Sequence, residues 1–133
     1  MNTESTRNKI LVVDDEPDML ELMMMVLTRK GYRSLGATNG ADAIVVNDKE
    51  NPDLIILDLR MPEMDGIETL RRIRKMDDKV RVIILTGFPT GFSTGFDSPE
   101  AVKEMADLDV SERLSKQLDN DELLHAIRDV LAR

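Results

Sequence analysis

Residues 53–66 read DLIILDLRMPEMDG, and this segment indicates both the type of fold and the first candidate site. Its short apolar run predicts a buried strand that ends on the carboxylate of Asp58. Pro62 and Gly66 then mark a turn into the next helix. Open α/β sheets place their ligand crevice at the carboxyl ends of the strands, so Asp58 is a candidate site residue. The alternative is that Asp58 only caps a turn or a helix.

The same alternation of short apolar strands and amphipathic helices recurs along the chain. Strands are predicted at five places: residues 9–13, 32–37, 53–58, 80–85 and 110–114. Helices are predicted over residues 17–30, 41–49, 97–107 and 119–131, and from residue 65 onward. Five strand–helix pairs predict an α/β fold with a parallel sheet, helices on both faces and right-handed crossovers.

Two of these helices carry patterns that have a structural and a functional interpretation. The first helix places apolar residues, among them Met23 and Met24, at helical spacing, which favours a core-facing stripe over a docking surface. The third helix has an apolar face and a basic face that includes Arg71 and Arg74. We interpret the basic face as solvated.

Composition limits the class of protein. The chain has 133 residues, no cysteine and a net charge of −8, which fits one domain that needs no disulfides. The acidic balance argues against a nucleic-acid-binding surface, because phosphate contacts depend on clustered Lys and Arg. No apolar run suits a signal peptide or a membrane span, so a soluble, cytoplasmic protein is expected. We interpret residues 1–8 as a flexible N-terminal segment and residues 9–133 as a single domain.

Polar side chains follow three of the predicted strands. Asp14 and Asp15 come after the first strand, Asp58 ends the third, and Thr86 follows the fourth. The carboxyl ends of these strands should meet at one crevice. Three carboxylates that close together either raise a pKa or take up a cation, and an all-oxygen ligand set suits Mg²⁺. We therefore expect either a carboxyl group with a raised pKa or a bound cation at this crevice, and Mg²⁺ is the ion that the oxygen ligands favour.

A carboxylate beside bound Mg²⁺ is a competent nucleophile toward phosphorus. Lys116, just past the last strand, is placed to bind the oxygens of a phosphoryl group. A Mg²⁺-dependent phosphohydrolase is a weaker alternative, because no separate general acid is in evidence.

These residues, in this order, resemble those of response-regulator receiver domains of two-component signalling, over nearly the whole chain. The resemblance implies a flavodoxin-like (βα)5 doubly wound sandwich with strand order 2-1-3-4-5. It implies that Asp58 accepts a phosphoryl group from a sensor histidine kinase or a phosphotransfer protein, with Mg²⁺ as cofactor. The chain would then catalyse only its own phosphorylation and dephosphorylation, as a monomer or a phosphorylation-dependent dimer.

The resemblance also implies a role for each matching position. The metal ligands would be three carboxylates and the backbone carbonyl of one residue: Asp14, Asp15, Asp58 and Arg60. The phosphoryl-binding and switch positions would be Thr86, Gly87 and Lys116. Phosphorylation would switch a protein-binding surface near the fourth helix, the fifth strand and the fifth helix, whose output partner is unknown.

The sequence departs from the family pattern on the output side. Gln117 follows Lys116 where the family usually has proline, and Arg113 stands where it usually has an aromatic residue. The segment 87–96, GFPTGFSTGF, is longer than usual and is predicted to be a loop, because glycine and proline disfavour a helix. Its three phenylalanines either dock a partner or pack under their own loop: Phe88, Phe92 and Phe96. The alternative function is a phosphorylation-independent protein-binding module that uses this loop.

Overall fold

The computed structural model describes residues 8–59, 65–86, 99–115 and 119–133, and five strands alternate with five helices in these ranges. The strands are β1 (Lys9–Val13), β2 (Arg33–Ala37), β3 (Leu54–Asp58), β4 (Arg81–Thr86) and β5 (Glu112–Ser115). The helices are α1 (Pro17–Arg29), α2 (Gly40–Glu50), α3 (Gly66–Met76), α4 (Pro99–Asp107) and α5 (Asn120–Ala132).

The strands form one parallel sheet in the order β2-β1-β3-β4-β5. The predicted α/β fold class and strand order are therefore confirmed. In this order β1 and β3 are neighbours, and Val13 pairs with Leu57. The residue after each of these two is an aspartate, so the register brings Asp14 and Asp58 to the same level at the carboxyl edge.

The last strand begins two residues later than the sequence predicts, at Glu112 instead of Val110. Asp109 adopts a left-handed conformation with φ of 59° after α4, and the Val110 N–H then donates back to the Met105 carbonyl at 3.2 Å. Pairing with β4 starts with the Ser111 N–H, which donates to the Val82 carbonyl at 2.8 Å. The turn that closes α4 therefore uses residues that the apolar pattern assigns to the strand.

Helices cover both faces of the sheet, as predicted. One apolar layer lies against α2, α3 and α4, and it contains Ile67, Leu70, Ile73 and Met105. The other layer lies against α1 and α5, and it includes Leu27 together with the buried residues of α5. Side chains of the central strands fill the space between the layers, so β1 and β3 are buried on both faces.

The methionine run of α1 divides between core and surface. Met23 and Met24 are partly buried and pack against the α1–α5 layer, whereas Met25 is exposed. A Cβ atom at Gly36 of β2 would lie 2.7 Å from the Met24 Sδ, so the glycine lets α1 approach the sheet closely. The predicted core-facing stripe is confirmed for Met23 and Met24, and Met25 next to them lies on the exposed face.

The predicted segment at 1–8 falls outside the described residues, except for Asn8, whose carbonyl accepts from the Arg33 N–H at 3.0 Å. The predicted division into this segment and one domain over 9–133 stays a prediction. In the part of the chain that the structure describes, no helix is both long enough and apolar enough to cross a membrane.

Candidate functional site

Three carboxylates meet at the carboxyl edge of the sheet, from Asp14, Asp15 and Asp58. Each offers an oxygen atom, and these oxygens all lie within 4.8 Å of one another. Asp14 and Asp58 are buried, with 4% and 5% of their surface exposed, and Asp15 is the most exposed of the three. The structure thus brings together the acidic residues that the sequence assigns to one crevice.

The backbone on both sides of Asp14 is fixed by hydrogen bonds. The Asp14 N–H donates to the Ala37 carbonyl at 3.1 Å, which extends the β1–β2 pairing by one residue. Its Oδ1 accepts from the Glu16 N–H at 3.0 Å, which turns the chain toward Pro17 at the start of α1. Asp14 is therefore both a turn-forming residue and a member of the carboxylate cluster.

The backbone that follows Asp58 is held by the start of α3. The Gly66 N–H donates to the Leu59 carbonyl at 2.9 Å. A Cβ atom at Gly66 would lie 2.6 Å from the Asp58 carbonyl oxygen and 2.6 Å from the Leu59 Cα, which leaves no room for a side chain. The sequence marks Gly66 as a turn residue, but this close contact between α3 and β3 is the stronger reason for a glycine.

The first turn of α3 is fixed by Asp65 and Thr69. The Asp65 Oδ1 accepts from the Glu68 N–H at 2.9 Å, which is a side-chain cap at the N-terminus of the helix. The buried Thr69 hydroxyl donates to the Asp65 carbonyl at 2.9 Å. These contacts hold α3 where Gly66 touches the Asp58 backbone.

Thr86 is the last residue of β4, and its backbone is in register with Ser115, the last residue of β5. Because Asp58 pairs with Leu85, the carboxyl ends of β3, β4 and β5 reach the same edge of the sheet. Several predicted site positions lie outside the described residues: Arg60, Gly87, Phe88, Phe92, Phe96, Lys116 and Gln117. Their roles stay predictions.

Arg113 lies on β5, in register with the buried Ile84 of β4. The Arg113 side chain itself is exposed, which keeps the charge of its guanidinium in water. The position that the family usually fills with an aromatic ring thus presents a cation on the surface of β5.

The basic face of α3 contains contacts that the sequence did not indicate. Arg71 is exposed, but its Nε and one terminal nitrogen both donate to the Glu104 carboxylate on α4, the latter at 2.7 Å. These hydrogen bonds hold the pKa of the Glu104 carboxyl below its usual value of 4.5. The solvated face predicted for this helix is confirmed by the exposure of Arg71, and the structure adds a partner on α4 that is 33 residues away along the chain.

A family model of the response regulator receiver domain matches residues 10–128. The chain is 35% identical to the sporulation initiation phosphotransferase F of Bacillus subtilis (strain 168), over 92% of this chain and 93% of that protein. It is 38% identical to the transcriptional regulatory protein GlrR of Escherichia coli (strain K12), over 92% of this chain but 26% of the relative. The similarity thus extends over nearly all of one relative and about a quarter of the other.

Solved structures show the same relationship in three dimensions. The response regulator protein TrrA of Thermotoga maritima, crystallised in complex with Mg²⁺–BeF, superposes with a TM-score of 0.77 and 32% sequence identity. That superposition covers 92% of this chain and 98% of TrrA. Together with the acidic pocket at the carboxyl edge, these similarities show that the chain belongs to the response regulator receiver domain family.

Proposed function

We propose that this receiver domain accepts a phosphoryl group on Asp58 in the presence of Mg²⁺. The observation that carries the proposal is the cluster of three carboxylates at the ends of β1 and β3, with oxygens within 4.8 Å of one another. The chain also matches the receiver family over residues 10–128, and this match supports phosphoryl transfer as the chemistry of the cluster. Asp58 is the member that lies at the end of the central, fully buried strand β3.

The donor set of this cluster fits Mg²⁺. Asp14, Asp15 and Asp58 supply only oxygen ligands, and two of the three carboxylates are buried. Like charges this close are unfavourable unless a cation or a proton balances them, and Mg²⁺ prefers carboxylate oxygens together with water. The Arg60 carbonyl would add a further oxygen. When bound, the ion would offset the negative charge on the oxygens of the incoming phosphoryl group.

The protein's contribution to the reaction is the position of the nucleophile. One carboxylate oxygen of Asp58 forms a bond to phosphorus while the bond between phosphorus and the donor group breaks, and the leaving group keeps the electron pair. β3 holds the Asp58 backbone between β1 and β4, and Gly66 allows α3 to brace it. Thr86 and Lys116 are the proposed partners of the phosphoryl oxygens.

The proposed phosphodonor is a sensor histidine kinase or a phosphotransfer protein, in keeping with the family. The proposed output is a shift of the surface formed by α4, β5 and α5, which includes the exposed Arg113. In physical terms this is a change in the populations of two arrangements, since the new charge on Asp58 favours one of them.

The Mg²⁺ site can be tested by titration followed by NMR. Asp15→Asn should weaken Mg²⁺ binding at least about tenfold, since even partners outside the ligand set typically change metal affinity by that much. Asp18→Asn is the matched control, because Asp18 is a nearby acid in the first turn of α1 that lies outside the cluster. Equal affinities in the two variants would count against the carboxylate cluster as the metal site.

A further inference from the structure

Few of the described side chains of helix α4 are buried in the domain. Among the α4 side chains that the structure describes, only Met105 is buried, with 1% of its surface exposed. By contrast, α5 buries four apolar residues: Leu123, Leu124, Ile127 and Val130. Compared with α5, helix α4 therefore depends more on polar contacts to hold it against the domain.

The first of these contacts is a two-pronged ion pair between α3 and α4. Arg71 donates to Glu104 through Nε and through a terminal nitrogen at 2.7 Å, and its other terminal nitrogen donates to Glu68 at 2.6 Å. Isolated surface ion pairs contribute little, but bidentate geometry within a network is the case in which such pairs matter. Glu68 lies one turn before Arg71 on α3, so it also restrains the guanidinium.

Arg74 of α3 makes the second contact, with the turn that follows α4. Its Nε donates to the Leu108 carbonyl at 2.8 Å, and a terminal nitrogen donates to the Asp109 carbonyl at 3.2 Å. Leu108 and Asp109 directly follow α4, so these hydrogen bonds satisfy carbonyls in the turn that closes the helix. They also fix the turn at Asp109, whose positive φ is uncommon for a residue other than glycine.

The helix that carries both arginines also touches the proposed phosphoacceptor. Gly66, the first residue of α3, packs directly on the backbone of Asp58 and Leu59. Arg71 and Arg74 lie one to two turns further along the same helix. One rigid element thus links the backbone of Asp58 with the position of α4.

We propose that Arg71 and Arg74 form a latch, which holds α4 against α3 and opposes the movement of α4 that follows phosphorylation of Asp58. This inference rests on the proposed function. The arrangement seen here competes with the one that the phosphoryl group favours, so opening the latch lowers the free energy needed for the switch. Coupling of this kind is reciprocal, and weakening the latch therefore strengthens the binding of a phosphoryl mimic at Asp58.

The test is an NMR titration of the protein with beryllofluoride at saturating Mg²⁺. Arg71→Gln and Glu104→Gln each remove the pair between α3 and α4, and each should raise the affinity for beryllofluoride by about fivefold or more. Arg72→Gln is the matched control on α3, because Arg72 bonds only to Glu68 of its own helix among the contacts described. Lys103→Gln is the control on α4, where Lys103 pairs with Asp107 one turn away.

The double variant with Arg71→Gln and Glu104→Gln separates the pair from two independent effects. Both substitutions remove the same contact, so the double variant should bind beryllofluoride no more tightly than either single variant. Equal affinity of the parent and the two latch variants, or weaker binding by the variants, would overturn the latch and leave the proposed function standing. A parent protein that does not respond to beryllofluoride at all would overturn the proposed function, and the latch with it.

Discussion

The carboxylate edge and helix α4 are held in place by different kinds of contact. Asp58 ends a strand whose five residues are all buried, and β3 is paired on both sides by β1 and β4. Helix α4 lies on the surface, and Met105 is the one buried side chain among those described for it. An exposed ion pair between Arg71 and Glu104 connects α4 to α3. Burial of the apolar strands fixes the geometry of the site. The position of α4 depends more on surface polar contacts, each of which can break without disrupting the apolar core. The domain thus holds its site by buried apolar contacts and holds α4 in part by surface polar contacts.

Truncation of a buried side chain in β3 should have a larger effect on stability than any change at the surface of the domain. Ile56→Ala removes a fully buried side chain from the middle of β3 and should lower the free energy of unfolding by about 2–5 kcal/mol. Urea denaturation at pH 7 measures the change. Val45→Ala is the control, because Val45 is exposed on α2 and its truncation should change stability by no more than about 0.5 kcal/mol. Similar losses in the two variants would contradict the description of β3 as the fixed part of the domain.

A smaller but more local effect is expected where α3 touches β3. Gly66→Ala places a Cβ atom 2.6 Å from backbone atoms that cannot move aside, and should cost about 1–3 kcal/mol of stability. Gly36→Ala is the matched control, since its Cβ would meet the flexible Met24 side chain instead. Denaturation of both variants checks this order, and Mg²⁺ titration should show a loss of affinity for Gly66→Ala alone. A Gly66→Ala protein as stable as the parent would mean that α3 does not brace Asp58.

A smaller effect is expected from the ion pair between Arg71 and Glu104 when the pH is lowered. Hydrogen bonds from Arg71 lower the pKa of Glu104, so the ionised pair stabilises α4 above pH 4.5 and is lost as the pH falls through the lowered pKa. Amide exchange of α4 relative to β3 should therefore increase in acid below pH 4.5. Glu104→Gln should remove part of this pH dependence, whereas Arg72→Gln should leave it in place. Identical acid responses of α4 in the parent and in Glu104→Gln would contradict the assignment.

Sequence reasoning predicts the sheet well because its signals are local. Short apolar runs followed by amphipathic helices indicate each element, and an aspartate at the end of β1 and of β3 indicates the acidic crevice. The contact of Arg71 with Glu104 could not be predicted, since it depends on how two helices separated by a strand pack together. The steric need for Gly66 and the late start of β5 after Asp109 likewise depend on close tertiary contacts.

Asp58 is the proposed phosphoacceptor, and intact-mass spectrometry can detect the phosphoryl group that it would carry. The parent protein, incubated with acetyl phosphate and Mg²⁺, should gain the mass of one phosphoryl group, and it should gain none when EDTA removes the metal. Asp58→Asn should show no gain under either condition. An unchanged mass for the parent, or an equal gain for Asp58→Asn, would show that Asp58 is not the phosphoacceptor.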